Sequence, residues 1–390
     1  MFVMSFTRSK RAVSKILLMS GMVFGIILTG CKYKSFKHYE RGITHYEKGE
    51  YDAAIEQFNM AIDINPKFCD AYIYRGIIYS ENDELDSAIS DFSKALKINP
   101  RSADAYHNRA IAFYEKGEYD LAVKDYTKVL LINPGCTDAF YNRGLAYHFK
   151  GELGRAISDY TLAILNNPTN YDAYYNRGCV YCDEEEFNNA ISDFTEVIKL
   201  NQKNADAYYN RGCVYYDEGE FNNAISDFTE VIKLNPKDVE AYCNRGCAYF
   251  DEGEFNSAIF DFSKVIKLNP KDVYAYYSRA VSYGEKGEYD LAISDANSAI
   301  ELNPEDADAY YIRGLVYYYK GEYEQAILDY TKSIEIDPNY PTAYNDRGFV
   351  YLVRGEYDKA WQDIFKALCL EFQAKINFFK EPGKSSEKEE

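Results

Sequence analysis

Ala205-Asp-Ala-Tyr208-Tyr209-Asn210-Arg211-Gly212-Cys213-Val-Tyr215, followed by Gly219-Glu-Phe221, Ala224, Phe228, Val231 and Asn235-Pro236, is the clearest copy of a phrase that recurs through the chain. Tyr208, Gly212 and Tyr215 fall at i, i+4 and i+7, one face of a helix. Phe221, Ala224, Phe228 and Val231 mark one face of a second helix. Gly219 punctuates the chain between the two, and Pro236 closes the unit. The phrase predicts a helical hairpin that cannot bury its own apolar face and completes its core only by stacking on neighbours.

The period is 34 residues, and ten blocks run in phase over 35–374: 35–68, 69–102, 103–136, 137–170, 171–204, 205–238, 239–272, 273–306, 307–340 and 341–374. The twentieth position is Ala in every block, from Ala54 to Ala360. The eighth is Gly in all but Ala110 and Ala280. Small residues there allow the paired helices to approach closely while rings fill the flanks. Position 7 is Arg throughout, and position 23 is Asp in every block but the first, which has Gln57. Arg211 with Asp227 is expected as a structural helix-to-helix pair. Repeat five departs, with Glu185 for the turn Gly and Gln202 for Pro, so its turn and exit are expected to be less sharply set. Repeat ten has Ile364 and then Phe372 in place of Pro, so its second helix is expected to run on through Ile376 and Phe379 as a cap.

A 34-residue period with aromatic, Gly, Ala and Pro at these offsets resembles the tetratricopeptide (TPR) repeat. The resemblance implies an all-α, right-handed superhelical solenoid whose first helices line an inner groove, and a role in holding other proteins. Position 5 offers Tyr141, Tyr175, Tyr209, Tyr277 and Tyr311 to that groove, and position 12 adds Tyr216. Position 6 is a run of amides, Asn108, Asn142, Asn176, Asn210 and Asn244. Position 13 is acidic in most repeats and includes Asp183, Asp217 and Asp251. Tyrosines give rigid amphipathic contact area, and amides both donate to and accept from a peptide backbone. The alternative for the amides is that they bridge helices within the array. The expected ligand is an extended, neutral-to-basic segment of a partner protein, with glycan binding and self-association as the rival readings.

The first 30 residues read as a signal peptide: Arg8, Lys10, Arg11 and Lys15, then an apolar run from Ile16 to Leu28, too short to span a bilayer. Leu28-Thr29-Gly30-Cys31 resembles the lipobox of bacterial lipoproteins, which implies cleavage before Cys31 and lipidation of its thiol. Residues 31–34 then link the anchor to the array. Lys32 points to the outer rather than the inner membrane of an exported bacterial lipoprotein. Residues 375–390 are read as the end of the capping helix and a disordered charged tail.

A net charge of −18 excludes nucleic acid as the expected partner, since that affinity depends on Lys and Arg neutralising phosphates. Four His against 40 Tyr, with no Gly-rich phosphate loop and no Ser or Cys beside a credible base, assembles no catalytic site, and no enzyme is expected. No cofactor is expected. Cys179, Cys182, Cys213, Cys243 and Cys247 face the groove by the helical count. The Cys179–Cys182 spacing has no matching second pair, so no metal site is assigned and small apolar packing is expected instead.

Overall fold

The computed structural model describes residues 30–380, with side chains for 32–372. The stretch read as a signal peptide, the expected lipidation of the Cys31 thiol and the tail beyond Lys380 lie outside the described residues. Twenty helices follow one another and no strand occurs among the described residues. Each 34-residue block holds one pair, as in repeat six, Ala205–Asp217 and Phe221–Leu234. The chain is an all-α solenoid. The second helix of repeat ten, Tyr357–Lys380, has 24 residues where its counterparts have 14.

The chain divides into two compact units, one through Asn170 and one from Tyr171, where the sequence pattern predicts a single array. The division falls on a repeat boundary. Each repeat touches only its neighbours, so a solenoid has no global core that forbids such a break. Within each unit successive first helices approach one another while successive second helices do not. Each stack therefore curves with its first helices on the inner side.

The small residues of the period set how closely the helices pack. The position-20 alanines are fully buried, and a ring at position 24 lies against the Gly of position 8. A Cβ added at Gly212 would sit 3.0 Å from the Phe228 ring, and at Gly76 2.7 Å from that of Phe92. Repeat eight compensates in the other direction: Ala280 stands at position 8 and the residue opposite is Ala296 rather than a ring, both fully buried. Position 3, Ala in every repeat from Ala71 to Ala343, is also fully buried, although the sequence pattern did not single it out.

The turns of repeats two and five correct the expectation for Glu185. Gly219 has φ +75, and Asp83 and Glu185 adopt the same left-handed conformation at φ 63 and φ 58. The closing bonds match, with Glu186 N donating to Tyr181 O at 2.8 Å and Glu220 N to Tyr215 O at 2.7 Å. The turn is as sharp as elsewhere and is held under local strain. Gln202 has no effect on the exit either: both Phe187–Leu200 and Phe221–Leu234 end at an Asn in extended conformation, with its N–H on the carbonyl four residues back.

Candidate binding groove

Residues 5 to 7 of each first helix divide between two faces. On one face Arg211 holds Asp227 through two parallel bonds, Nε to Oδ2 at 2.8 Å and Nη2 to Oδ1 at 2.7 Å. Its remaining nitrogen, Nη1, donates to Thr195 Oγ1 of the preceding repeat at 2.9 Å. Arg245 does the same with Asp261 and Thr229, and Arg279 with Asp295 and Ser263. In the first unit Arg109 joins Asp125 to Ser93, and Arg143 joins Asp159 to Thr127. The guanidinium is also flanked by the rings of positions 4 and 11; Arg211 lies 5.8 Å from both Tyr208 and Tyr215. The predicted Arg–Asp pair is thus two legs of a three-legged clamp, and the third leg crosses the repeat boundary. Burial pushes the Asp227 carboxyl up, against the pull of Arg211.

The terminal repeats show what the third leg requires. Position 25 is a hydroxyl or amide wherever a described clamp reaches it, and Phe365 in repeat ten, which no Arg follows. In repeat one, Arg41 has no Asp; Gln57 stands there and its Oε1 lies 2.9 Å from His38 Nδ1. This covariation was present in the sequence, but it is visible only when position 7 is compared with position 25 of the block before it.

The other face carries the predicted groove residues. In the second unit, Asn210 Nδ2 donates to Tyr175 Oη and Asn244 Nδ2 to Tyr209 Oη, each at 2.9 Å. These bonds step from position 5 of one repeat to position 6 of the next. Two of the amides are therefore helix bridges. Their Oδ1 atoms accept no bond among the described residues. The same one-residue offset joins Tyr216 Oη to Asp251 Oδ2 at 2.5 Å and, at the C-terminal end, Tyr311 Oη to Asp346 Oδ2 at 2.9 Å. Asn108 and Asn176 each donate to their own helix, at Asp104 O and Asp172 O. Asn142, in the first unit, is half-buried, and Asp183 and Asp217 are exposed.

Position-5 tyrosines also pack inward. Tyr175 meets Phe194 and Tyr209 meets Phe228 edge to face, with centroids 5.8 Å apart. Tyr141 and Tyr311 lie against Tyr160 and Tyr330, and Tyr277 against Tyr274 at 5.0 Å. Burial holds the phenols of Tyr209 and Tyr277 up at about 12. Tyr141, Tyr175, Tyr209 and Tyr311 thus give one edge to a buried ring and one to the groove, whereas Tyr274, the ring beside Tyr277, is itself exposed. Among the described residues no group of three potential metal-ligating side chains occurs, and no helix is long and apolar enough to cross a membrane. A depression of about 330 Å³ lined by Arg245, Tyr249, Phe260 and Asp261 lies over the clamp, away from the Tyr/Asn face.

Sequence profiles described as TPR repeat match residues 42–83, 78–117, 178–219 and 314–355. Profiles described as tetratricopeptide repeat match 103–136, 137–170, 205–238, 239–272, 273–306 and 296–327. The chain belongs to the tetratricopeptide repeat family. Among solved structures, the C-terminal part of a TPR repeat-containing protein from Cytophaga hutchinsonii is 24% identical, with a TM-score of 0.55, over 60% of this chain and 96% of that one. MamA is 35% identical over 42% of this chain and 96% of its own, with a TM-score of 0.38. YrrB, described as a TPR protein with an unusual peptide-binding site, is 24% identical over 47% and 95%, with a TM-score of 0.42. No curated protein matches the chain. As a TPR repeat scaffold, the chain has the architecture of proteins that engage other proteins.

Proposed function

We propose that the inner face of the second unit holds an extended, neutral-to-basic segment of a partner protein, and that the chain acts by contact rather than by catalysis. The observation that carries this reading is the stepped Tyr–Asn ladder. Asn210 and Asn244 commit donors to Tyr175 and Tyr209, which leaves their amide oxygens to accept from a ligand. Asp217 and Asp251 add carboxylates along the same face. A wall of acceptors selects donors: backbone N–H groups, Lys and Arg. Repeats five and six present this chemistry twice in nearly identical sequence, which suits a partner that runs along the stack.

The sequence of the leader extends the proposal to location. Leu28-Thr29-Gly30-Cys31 supports an exported, lipid-anchored protein of the bacterial envelope, with Lys32 favouring the outer membrane. Labelled unstructured peptides carrying Lys, and matched peptides carrying Glu, test the groove by fluorescence anisotropy. The Lys peptides should bind more tightly, and the Asn210→Ala, Asn244→Ala double variant should weaken them about tenfold while the chain stays folded, its stability falling by about 1–3 kcal/mol as two bridges are lost. Equal binding of both peptides would sink the reading. A pull-down from envelope fractions that is lost on removing glycan would favour the sugar-binding alternative. Cys31→Ala should abolish acyl labelling and release the protein from membranes.

A further inference from the structure

Position 9 places a thiol at the same point in three successive repeats: Cys179, Cys213 and Cys247. Three neighbours define its surroundings: position 5 of its own helix, and positions 2 and 6 of the next repeat, where Asn210 and Asn244 reach the Cys179 and Cys213 sulfurs at 4.0 Å. Cys179 has Tyr175 and Asp206; Cys213 has Tyr209 and Glu240. In both, burial and nearby carboxylates outweigh the tyrosine hydroxyl, and the thiols are pushed up to about 12 and about 11.

Repeat seven changes all three neighbours, and Ser278 stands where the amide was. Cys243 replaces the position-5 tyrosine, and Tyr274 replaces the carboxylate, with its Oη 3.2 Å from Cys247 Sγ. Once ionised, Cys247 can accept from two groups, the Tyr274 hydroxyl and the Cys243 thiol one turn back in its own helix. Together they pull it below the ordinary thiol range, against burial and the charge of Asp251. Cys243 is moved the other way, by its bond to Cys247 first, then by burial, with Asp272 and Glu240 adding to the rise. One sulfur is favoured as thiolate while the other keeps its proton. Both are half-buried rather than sealed.

We propose that Cys247 and Cys243 are a peroxide-reactive thiol pair, with Cys247 attacking and Cys243 resolving. The Cys247 thiolate attacks one peroxide oxygen, the O–O bond breaks, and the other oxygen leaves, protonated, as water or an alcohol. Cys247 is then a sulfenic acid, oxidised by two electrons. The Cys243 sulfur attacks it, the S–O bond breaks, and water leaves with the Cys243 proton. In sum, two thiols and one hydroperoxide give a disulfide, water and water or an alcohol. Residues i and i+4 of a helix have Cα atoms about 6.2 Å apart, inside the disulfide window of about 4.4–6.8 Å, but their Cβ atoms, about 5–6 Å apart, must draw in to about 3.5–4.5 Å, so closure distorts that turn of Val239–Asp251 locally. Closure thus needs no movement of one repeat against another. It replaces a charged sulfur and its two donors' bonds with an apolar bridge on the groove side. This inference does not depend on the peptide-binding reading.

The test uses the reduced full-length chain, with every cysteine followed by mass spectrometry. Iodoacetamide at pH 7 should alkylate Cys247 about tenfold faster than Cys213, because the thiolate is the attacking species. One equivalent of hydrogen peroxide should remove two hydrogens from the peptide containing Cys243 and Cys247. In Cys243→Ser the product should instead be a sulfenic acid at Cys247, trapped by dimedone. Tyr274→Asp, which restores the position-2 carboxylate of the neighbouring repeats, should bring the alkylation rate down toward that of Cys213 with unchanged circular dichroism. Alkylation of Cys247 no faster than Cys213 in the unmutated chain, or peroxide oxidising Cys179 and Cys182 first, would overturn the proposal.

Discussion

The clamp face and the groove face of the first helices obey different rules. At the described clamps, Arg, Asp and a position-25 acceptor repeat with almost the same distances, in the first unit at Arg109 and Arg143 and in the second from Arg211 to Arg347. On the groove face the chemistry drifts: position 5 is Tyr, Ile73, His107, Cys243 or Asn345, and position 6 passes from Asn to Ser278, Ile312 and Asp346. Adjacent residues of one helix thus carry separate tasks. What fixes the stacking step is held constant, and what meets a ligand is allowed to vary. The buried ion pair of the clamp serves this constancy through geometry, since a buried pair adds little net stability over a well-packed apolar substitute.

The division is not absolute, and alkali is the strongest way to expose the overlap. Burial holds Tyr114, Tyr209 and Tyr277, all groove-face residues, up at about 12. In the unfolded chain a tyrosine ionises near pH ~10. Between these values the unfolded state binds fewer protons than the native one, so stability falls as pH rises. With many such rings the helical signal should collapse cooperatively between about pH 10 and 12, together with the rise of tyrosinate absorbance. Tyrosinate appearing well before helix loss would show that these rings ionise freely and face the groove alone.

A neighbouring pair of substitutions measures the contrast directly. Arg211→Ala leaves the Asp227 carboxylate, 4% exposed, without its cation and should cost about 3–5 kcal/mol in urea unfolding. Asn210→Ala, one residue away, removes a half-buried bond to Tyr175 and a long contact with the Cys179 sulfur and should cost about 0.5–1.5 kcal/mol. A double-mutant cycle should show strong coupling of Arg211 with Asp227. Equal losses at 210 and 211 would erase the distinction between the faces.

Most of the clamp could be read in the sequence because its Arg and Asp lie in one block at a constant offset of 16. The third leg was not read, because its spacing has meaning only once the stacking phase between repeats is known. The bridging by amides was one of the two sequence readings, but its tyrosine partners were not read, for the same reason. Their 35-residue separation is one period plus one residue, a shift that comes from how neighbouring first helices lie side by side. The break at Asn170 has no local signature at all, since repeats four and five join with the same phrase as any other pair.

The smallest expected effect is also the best controlled. Residues 172–201 and 206–235 differ only at Cys182/Tyr216 and Glu185/Gly219, so repeats five and six are nearly the same hairpin with two different turn residues. Glu185 sits at φ 58, where a side chain costs about 1–2 kcal/mol and Gly costs nothing sterically. Gly loses part of that advantage through its greater freedom in the unfolded chain, about 0.5–1 kcal/mol. Glu185→Gly should therefore stabilise the second unit by about 0.5–1 kcal/mol, and Gly219→Glu should destabilise it by a similar amount. Because the turn lies on neither face, both changes should leave peptide binding and Cys247 alkylation unaltered. If Glu185→Gly gains nothing while Gly219→Glu still costs, the strain at Glu185 is offset by a contact its carboxylate makes, and the two hairpins are less alike than their sequences.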